Sequence, residues 1–195
     1  FAYPKGTALQ AFALRALDEV GLAESDVQQV EVSAVDVLGV LQSGDVDAAV
    51  VIEPLLTAYL KDNPDATVVR DATGLTTGLQ LIITTKEKLA DPATAAAIGD
   101  FVEHEAKAFV WAAQNPEEAL QAFADQNQIS LEEAQLISDR NGTQLFVPID
   151  DQVTGPEQSL ADLFTKAGAI PDQLDVTQIF DPRFNPYVEP YVSVG

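Results

Sequence analysis

A four-residue stretch near the start of the chain, Lys5-Gly6-Thr7-Ala8, has the residue types of an anion-binding loop. It joins a short apolar run to a helical pattern, so free backbone N–H groups, the positive end of a helix dipole and a hydroxyl would meet there. Thr is also a common N-cap and Gly a common loop residue, so ordinary helix capping explains the stretch equally well. The stretch therefore predicts either a small-anion site or a plain helix start, and it lacks the spacing of a phosphate-binding P-loop.

A carboxylate in a similar position, Glu53, ends the apolar run 47–52 and directly precedes Pro54, which opens a helical segment. Ligands of open α/β sheets bind beyond the carboxyl ends of the strands. Glu53 could therefore meet a cationic or hydroxyl group of a small ligand. The alternative interpretation is a solvated glutamate at the edge of a loop.

Other residue types that carry chemistry are scarce. The chain has no Cys and one His, and His104 lies between two glutamates on a helical pattern, which favours an exposed side chain over a ligand or base. Trp111 lies among alanines at helical spacing and is expected in a core. No nucleophile elbow, no His paired with Ser or Asp and no metal-spaced set is present. We predict no catalytic residues, no metal and no cofactor, and hence no enzyme.

Composition narrows the class of protein. With 195 residues, of which 47% are hydrophobic, the chain can bury a sizeable core. Its net charge of −21 repels phosphate backbones and anionic lipid headgroups, which argues against nucleic acid and membrane-surface binding. No apolar run approaches the length of a membrane helix. The chain contains no Met, so we expect it to begin within a longer protein, with any signal peptide upstream.

The elements that would position these residues alternate in the first part of the chain. Apolar runs at 1–3, 27–32, 47–52 and 67–70 predict strands, and the helical patterns between them lie at 7–20, 35–42 and 54–60. This alternation is typical of a parallel sheet with helices on its faces. The first part of the chain is therefore predicted to be α/β.

The second part is mainly helical. After one more predicted strand at 79–84, helices are predicted at 92–113, 116–126, 131–139 and 156–167, and the Pro-rich end 182–190 is expected to run extended. These helices lack enough strands for a sheet of their own. We expect an N-terminal segment of the same protein, absent from this sequence, to supply them.

The order of several short motifs resembles a known family of proteins. The motifs are Lys5-Gly-Thr-Ala, Leu14-Arg-Ala-Leu, Gly21-Leu, Val37-Leu-x-Val-Leu-Gln42-Ser-Gly44-Asp45-Val-Asp47-Ala, Glu53-Pro54, Trp111-Ala-Ala-x-Asn115-Pro116-Glu117-Glu118-Ala119, Arg140, Pro148-Ile-Asp150, Gln158-x-x-Ala161-Asp162-x-Phe164, Gly168-x-Ile170 and Asp175-Val. In this order they resemble the periplasmic solute-binding proteins of the aliphatic sulfonate, taurine and nitrate type. The resemblance covers almost the entire chain.

The resemblance implies a fold and a set of site residues. The fold is a periplasmic-binding-protein-like clamshell of two α/β lobes, here without the N-terminal part of the first lobe. Residues 1–76 correspond to the second lobe, the loop 71–78 to the return crossover, and residues 77–195 to the crossover and the C-terminal helical part of the first lobe. Gly6, Thr7 and Ala8 match the loop that holds an anionic head group, and Glu53 matches an acidic residue at a strand end. Ser33, after the second predicted strand, is added for its position.

The resemblance also implies a function. It indicates the extracytoplasmic solute-binding component of an ABC importer, in the periplasm or as a membrane-anchored lipoprotein. Its partners would be a small anionic or zwitterionic solute and an ABC permease in the membrane. Ile52 stands where many relatives carry an aromatic residue, which favours a different ligand shape, and Lys5 either offers a charge or points to solvent. A thiamine-precursor-type protein and a ligand-sensing domain of a signalling protein stay open as alternatives.

Overall fold

The structure is a computed structural model that describes residues 1–194, and it forms two compact units. The first unit contains residues 1–78 and 156–175, and the second contains residues 79–155 and those from 176 onward. Segment 156–175 thus packs with the first 78 residues. The assignment of the units to the two lobes of a clamshell stays a prediction.

The first unit is built on a small parallel sheet. Strand β1 (Ala2–Tyr3) pairs with β2 (Val30–Glu31), with Ala2 opposite Val30, and a parallel bridge joins Ala2 to Ala49 on the other side. The bridge is held by the Val50 N–H, which donates to the Ala2 carbonyl at 2.9 Å. Strand β1 therefore lies between two neighbours, and all three segments run in the same direction.

Three helices of the first unit follow these segments. They are α1 (Ala8–Glu19), α2 (Val37–Gln42) and α3 (Leu55–Asp62). Each begins and ends within two residues of its predicted bounds, because an apolar face recurs at helical spacing and because Gly21 and Gly44, both at positive φ, follow the first two helices. The sheet and helices enclose two small cores, which contain Ala2, Val37 and Val46 in one and Tyr3, Ala13 and Val50 in the other.

The structure contains fewer and shorter strands than the sequence pattern predicts. The run 27–32 forms only β2, the run 47–52 only the bridge at Ala49, and the runs 67–70 and 79–84 form no strand. Val69 and Ile83, at the centres of the last two runs, are 87% and 86% exposed. An apolar alternating run indicates an extended chain, but a strand exists only when a neighbour completes its hydrogen bonds. Neither run is a strand in the part of the chain that the structure describes.

Within the first unit, the side chain of Arg15 on α1 contacts both Leu75 and the segment 156–175. Its guanidinium donates to the Leu75 carbonyl oxygen at 2.6 Å and lies 3.5 Å from the hydroxyl of Ser159. Ser159 belongs to α8 (Asp151–Lys166), which begins five residues earlier than predicted and holds Pro156 in its interior. The helix starts earlier because the Asp150 carbonyl accepts from the N–H groups of Val153 and Thr154.

The second unit is helical, as predicted. Its helices are α4 (Lys86–Ala90), α5 (Pro92–Gln114), α6 (Pro116–Asn127), α7 (Leu131–Asn141) and α9 (Asn185–Val188). Helices α5 to α7 start where the sequence places them, since Pro or a capping Ser stands at each start. Among residues 1–194, no helix combines the length and the apolar character that crossing a bilayer requires.

Two expectations for the second unit are wrong. The Pro-rich end does not run extended but forms the 3-10 turns Pro182–Phe184 and Glu189–Val194 on either side of α9. Each turn has a Pro in its first positions, where a missing N–H costs nothing. Trp111 is 48% exposed and does not lie in the core, because α5 buries its opposite face through Gly99, Val102 and Ala106.

Candidate anion-binding site

The parallel sheet brings the predicted site residues to one edge of the first unit. The loop 4–8 follows β1, Ser33 follows β2, and Glu53 follows the segment that bridges to β1 at Ala49. Parallel segments have their carboxyl ends on the same side, and β1 lies between the other two. All five predicted residues therefore stand at the edge where α/β proteins bind ligands.

The loop after β1 enters α1 through an unusual cap. Thr7 is the N-cap, and its hydroxyl accepts from the Leu9 N–H at 3.2 Å while donating its own proton to the Pro4 carbonyl at 2.8 Å. Gly6 has a φ of +68°, a left-handed conformation that favours glycine, and its N–H donates to Oε1 of Gln10 at 2.8 Å. The hydroxyl proton of Thr7 is thus already used inside the protein.

Two backbone N–H groups of this cap are left open. Neither the N–H of Thr7 nor that of Ala8 has an acceptor among residues 1–194, and both residues are exposed. In a capping box the side chain at the position of Gln10 would accept from the N-cap N–H, but here it accepts from Gly6, one residue earlier. Two donors and the positive end of a 12-residue helix therefore face solvent together. This arrangement can hold a small anion through neutral groups.

Lys5 adds a positive charge next to the open cap. Its side chain is exposed, and within the described residues no carboxylate lies within salt-bridge distance of its ammonium. Lys5 can therefore contribute long-range attraction for an anion, although nothing fixes its position.

Glu53 lies at the same edge and holds the start of α3. Its Oε2 accepts from the Thr57 N–H at 3.1 Å, and its side chain is half-buried. A carboxylate has about four acceptor positions, so it can accept more than one hydrogen bond. The neighbouring Ile52, where the resemblance led us to look for an aromatic ring, is 44% exposed.

Ser33 is a weaker candidate than the other four residues. Its hydroxyl donates to Oδ2 of Asp36 at 2.6 Å and accepts from the Asp36 N–H at 3.2 Å. The hydroxyl proton therefore serves the turn that starts α2. The Ser33 hydroxyl could donate this proton to a ligand only if its bond to Asp36 were broken.

One residue of the site escaped the sequence analysis. Gln10 is 3% exposed and forms the floor of the loop through its bond to Gly6. The signal was present, because Thr7 and Gln10 stand in the Ser/Thr-x-x-Glu/Gln spacing of a capping box. That spacing predicts a closed cap, however, and the shift of the bond to Gly6 is visible only in the structure.

The strand that leads into the loop is held firmly. The Tyr3 hydroxyl donates to Oε1 of Glu24 at 2.7 Å, and Gln29 Nε2 donates to the Tyr3 carbonyl at 3.2 Å. Burial, followed by the bond to Glu24 and its negative charge, raises the pKa of the Tyr3 phenol far above its usual value. The loop thus begins from a fixed point.

Other depressions lie elsewhere in the described part of the chain. In the second unit, an apolar pocket of about 50 Å³ between α5 and residues 144–147 is far smaller than ordinary ligand sites. In the first unit, an open depression of about 450 Å³ surrounds Arg15, whose guanidinium is held by Leu75 and Ser159. His104 is exposed, as predicted, with Nδ1 2.7 Å from the Asp100 carbonyl oxygen. Residues 1–194 contain no acidic or His cluster suited to a metal ion.

Comparison with known proteins gives no relative by sequence but clear relatives by structure. No protein-family model matches the chain. No curated protein matches it in sequence either. Among solved structures, the chain matches the periplasmic aliphatic sulphonate binding protein SsuA from Escherichia coli with a TM-score of 0.77 and 23% identity, over 93% of this chain and 58% of that one.

A second solved structure agrees. The alkanesulfonate-binding protein SsuA from Xanthomonas axonopodis pv. citri, bound to MOPS, matches with a TM-score of 0.75 and 19% identity, over 91% of this chain and 61% of that one. The chain thus spans about three-fifths of the length of the structures it matches. At these identities the likeness is one of fold, and it confirms the sequence-based prediction that this chain has the α/β fold of the periplasmic binding proteins.

Proposed function

We propose that this chain is part of an extracytoplasmic solute-binding protein of an ABC importer. It would capture a small anionic or zwitterionic organic solute of the sulfonate or taurine class and present it to a membrane permease, without catalysing a reaction. The observation that carries this proposal is the open cap of α1, where the N–H groups of Thr7 and Ala8 face solvent at the carboxyl edge of the parallel sheet. The two sulfonate-binding proteins of the same fold support it.

The residues at the sheet edge suggest how the solute is held. The negative head group binds the N–H groups of Thr7 and Ala8, at the positive end of the helix dipole. Glu53 accepts from an amine of the ligand where there is one, which would extend the ligand class from alkanesulfonates to taurine. The hydroxyl of Thr7 donates to the Pro4 carbonyl, so the hydrogen bond from Thr7 to the ligand comes from its backbone N–H and not from its side chain.

Calorimetric titration of the intact protein tests the proposal. The panel is ethanesulfonate, taurine and nitrate, which share a negatively charged oxyanion group and differ in size and in the presence of an amine, which makes taurine a zwitterion. We expect binding of at least one sulfonate. A protein that binds none of the three under any salt concentration would sink the proposal.

The role of Glu53 is tested in the same titration with a matched pair of variants. Glu53→Gln removes a charge at the sheet edge, and Asp18→Asn removes one near the far end of α1. We expect Glu53→Gln to weaken the binding of taurine about 10- to 100-fold, because the ion pair between the Glu53 carboxylate and the taurine ammonium is lost. The binding of ethanesulfonate, which has no amine, should be unchanged or slightly tighter. Asp18→Asn should change neither. Equal effects of the two variants on taurine would remove Glu53 from the site.

A further inference from the structure

Gln10, in the first turn of α1, is a buried polar side chain whose amide is only half used. The side chain is 3% exposed, and its Oε1 accepts from the Gly6 N–H at 2.8 Å. Since a backbone N–H can only donate, this bond identifies the amide oxygen and therefore also the amide nitrogen. The nitrogen, Nε2, carries two hydrogens and has no acceptor among residues 1–194.

The unpaired nitrogen is not sealed inside the protein. Within the described residues, every side-chain nitrogen or oxygen that is closed off from solvent has a hydrogen-bond partner. Nε2 of Gln10 has none, so it must reach an opening. Because the other atom of the amide contacts Gly6, this opening lies beside the exposed loop that carries the two free N–H groups.

We infer that Gln10 is a further ligand-binding residue, whose Nε2 donates to the same oxyanion that Thr7 and Ala8 bind through their backbone N–H groups. The inference rests on the proposed function, and the group it concerns is the sulfonate head group that the proposed ligands share. Three neutral donors match the three oxygens of a sulfonate head group. The glutamine also shapes the site, because its oxygen accepts from Gly6 instead of closing a capping box with the Thr7 N–H, which is left open.

Two variants separate this contact from a purely structural role. Gln10→Leu keeps the approximate volume but removes the donor, and we expect ethanesulfonate affinity to fall about 10- to 100-fold, as for a lost hydrogen bond to a charged group. Gln10→Glu keeps an acceptor for the Gly6 N–H but replaces the donor by a negative charge. We expect it to fold, because the new carboxylate still accepts from the Gly6 N–H and lies in the first turn, where the helix dipole partly offsets the cost of burying its charge. Its affinity should nevertheless fall below that of Gln10→Leu.

The direct readout is the side-chain amide signal of Gln10 in a ¹H–¹⁵N NMR titration of the intact protein with ethanesulfonate and with inorganic sulfate. Shifts of this signal together with the Thr7 and Ala8 amides confirm the inference. If those backbone amides shift while the Gln10 signal stays in place, the proposed function stands and the inference is wrong. If sulfate shifts all three but no sulfonate binds, the inference stands and the proposed function is wrong. No shift with either anion overturns both.

Discussion

Helices α1 and α7 begin with the same sequence pattern but with caps of opposite kinds. Ser130 and Glu133 form a closed capping box at the start of α7, where Glu133 accepts from the Ser130 N–H at 2.9 Å and Ser130 accepts from the Glu133 N–H at 3.2 Å. Thr7 and Gln10 have the same spacing at the start of α1, yet Gln10 accepts from Gly6 and leaves the Thr7 N–H open. In the cap of α7 the N-cap N–H has an acceptor within the cap, whereas in the cap of α1 the N-cap N–H faces solvent.

The difference lies in the residue before each cap. Gly6 has a φ of +68°, which turns its N–H towards the first turn of α1, where Gln10 accepts it. Ile129 precedes Ser130, and its N–H instead closes the end of the preceding helix by donating to the Ala124 carbonyl. A capping pattern therefore predicts a helix start, but the preceding residue decides which N–H is satisfied. The predictions below break or sharpen this comparison, beginning with the largest expected effect.

The conformation of Gly6 is the feature that should matter most. Gly6→Ala places a side chain in a left-handed conformation and should lower the free energy of unfolding by about 1–2 kcal/mol. Gly39→Ala is the matched control, because Gly39 lies within α2 and neither glycine has an atom within 4 Å of an added Cβ. The control should gain about 0.5–1 kcal/mol from helix propensity. Urea unfolding measures the free energy of unfolding of both variants. Equal effects would show that a side chain at position 6 introduces no backbone strain.

The strand before the open cap carries a titratable anchor, Tyr3. Its pKa is raised in the folded protein by burial and by Glu24, so the phenol binds its proton more tightly when folded than when unfolded. The stability it contributes is complete below a pH of about 10 and is lost as pH rises from there towards the folded pKa. In that pH range, the free energy of unfolding of the wild type should fall by up to about 1.4 kcal/mol per pH unit relative to that of Tyr3→Phe. Urea unfolding at pH 8 and at pH 10–11 tests this, and parallel curves would contradict it.

Much of this comparison could be predicted from the sequence. Helical periodicity and the start signals Thr7, Pro92, Pro116 and Ser130 place four helix starts within one residue of those observed. The same patterns put Gly6, Thr7 and Glu53 after strands of a parallel sheet. These features are local, because the residues that determine a helix start lie within one turn of it.

Pairing and loop geometry could not be predicted in the same way. The runs 67–70 and 79–84 have the composition of strands, but their strand character depends on a neighbour elsewhere in space. Gln10 has the residue type of a capping partner, but which N–H it meets depends on the φ of Gly6. In both cases the sequence identifies the groups that can form hydrogen bonds and not the groups they meet.

The cap residues themselves provide the next test. Thr7→Ala and Ser130→Ala each remove a hydroxyl that accepts from the first turn, and each should lower the free energy of unfolding by about 1 kcal/mol. Only Thr7→Ala should also weaken ethanesulfonate binding, because the Thr7 hydroxyl bonds to Pro4 and Leu9 and so positions the two open N–H groups. The Ser130 cap offers no free N–H. Ser138→Ala, on the exposed face of α7, is the control and should change stability by less than about 0.5 kcal/mol. Loss of ethanesulfonate binding in Ser130→Ala would contradict the comparison.

The smallest effect is expected from Glu133→Gln, which gives α7 the same residue types as the open cap of α1. If the preceding residue decides the geometry, the amide oxygen of Gln should still accept from the Ser130 N–H and the box should stay closed. The charge near the positive end of the helix is then lost, which costs about 0.3–1 kcal/mol at low salt and less in high salt because electrostatic interactions are screened. Urea unfolding in 20 mM and 500 mM NaCl measures this difference. A loss that does not change with salt would mean that the box has opened, and that glutamine rather than the left-handed Gly6 creates the open cap of α1.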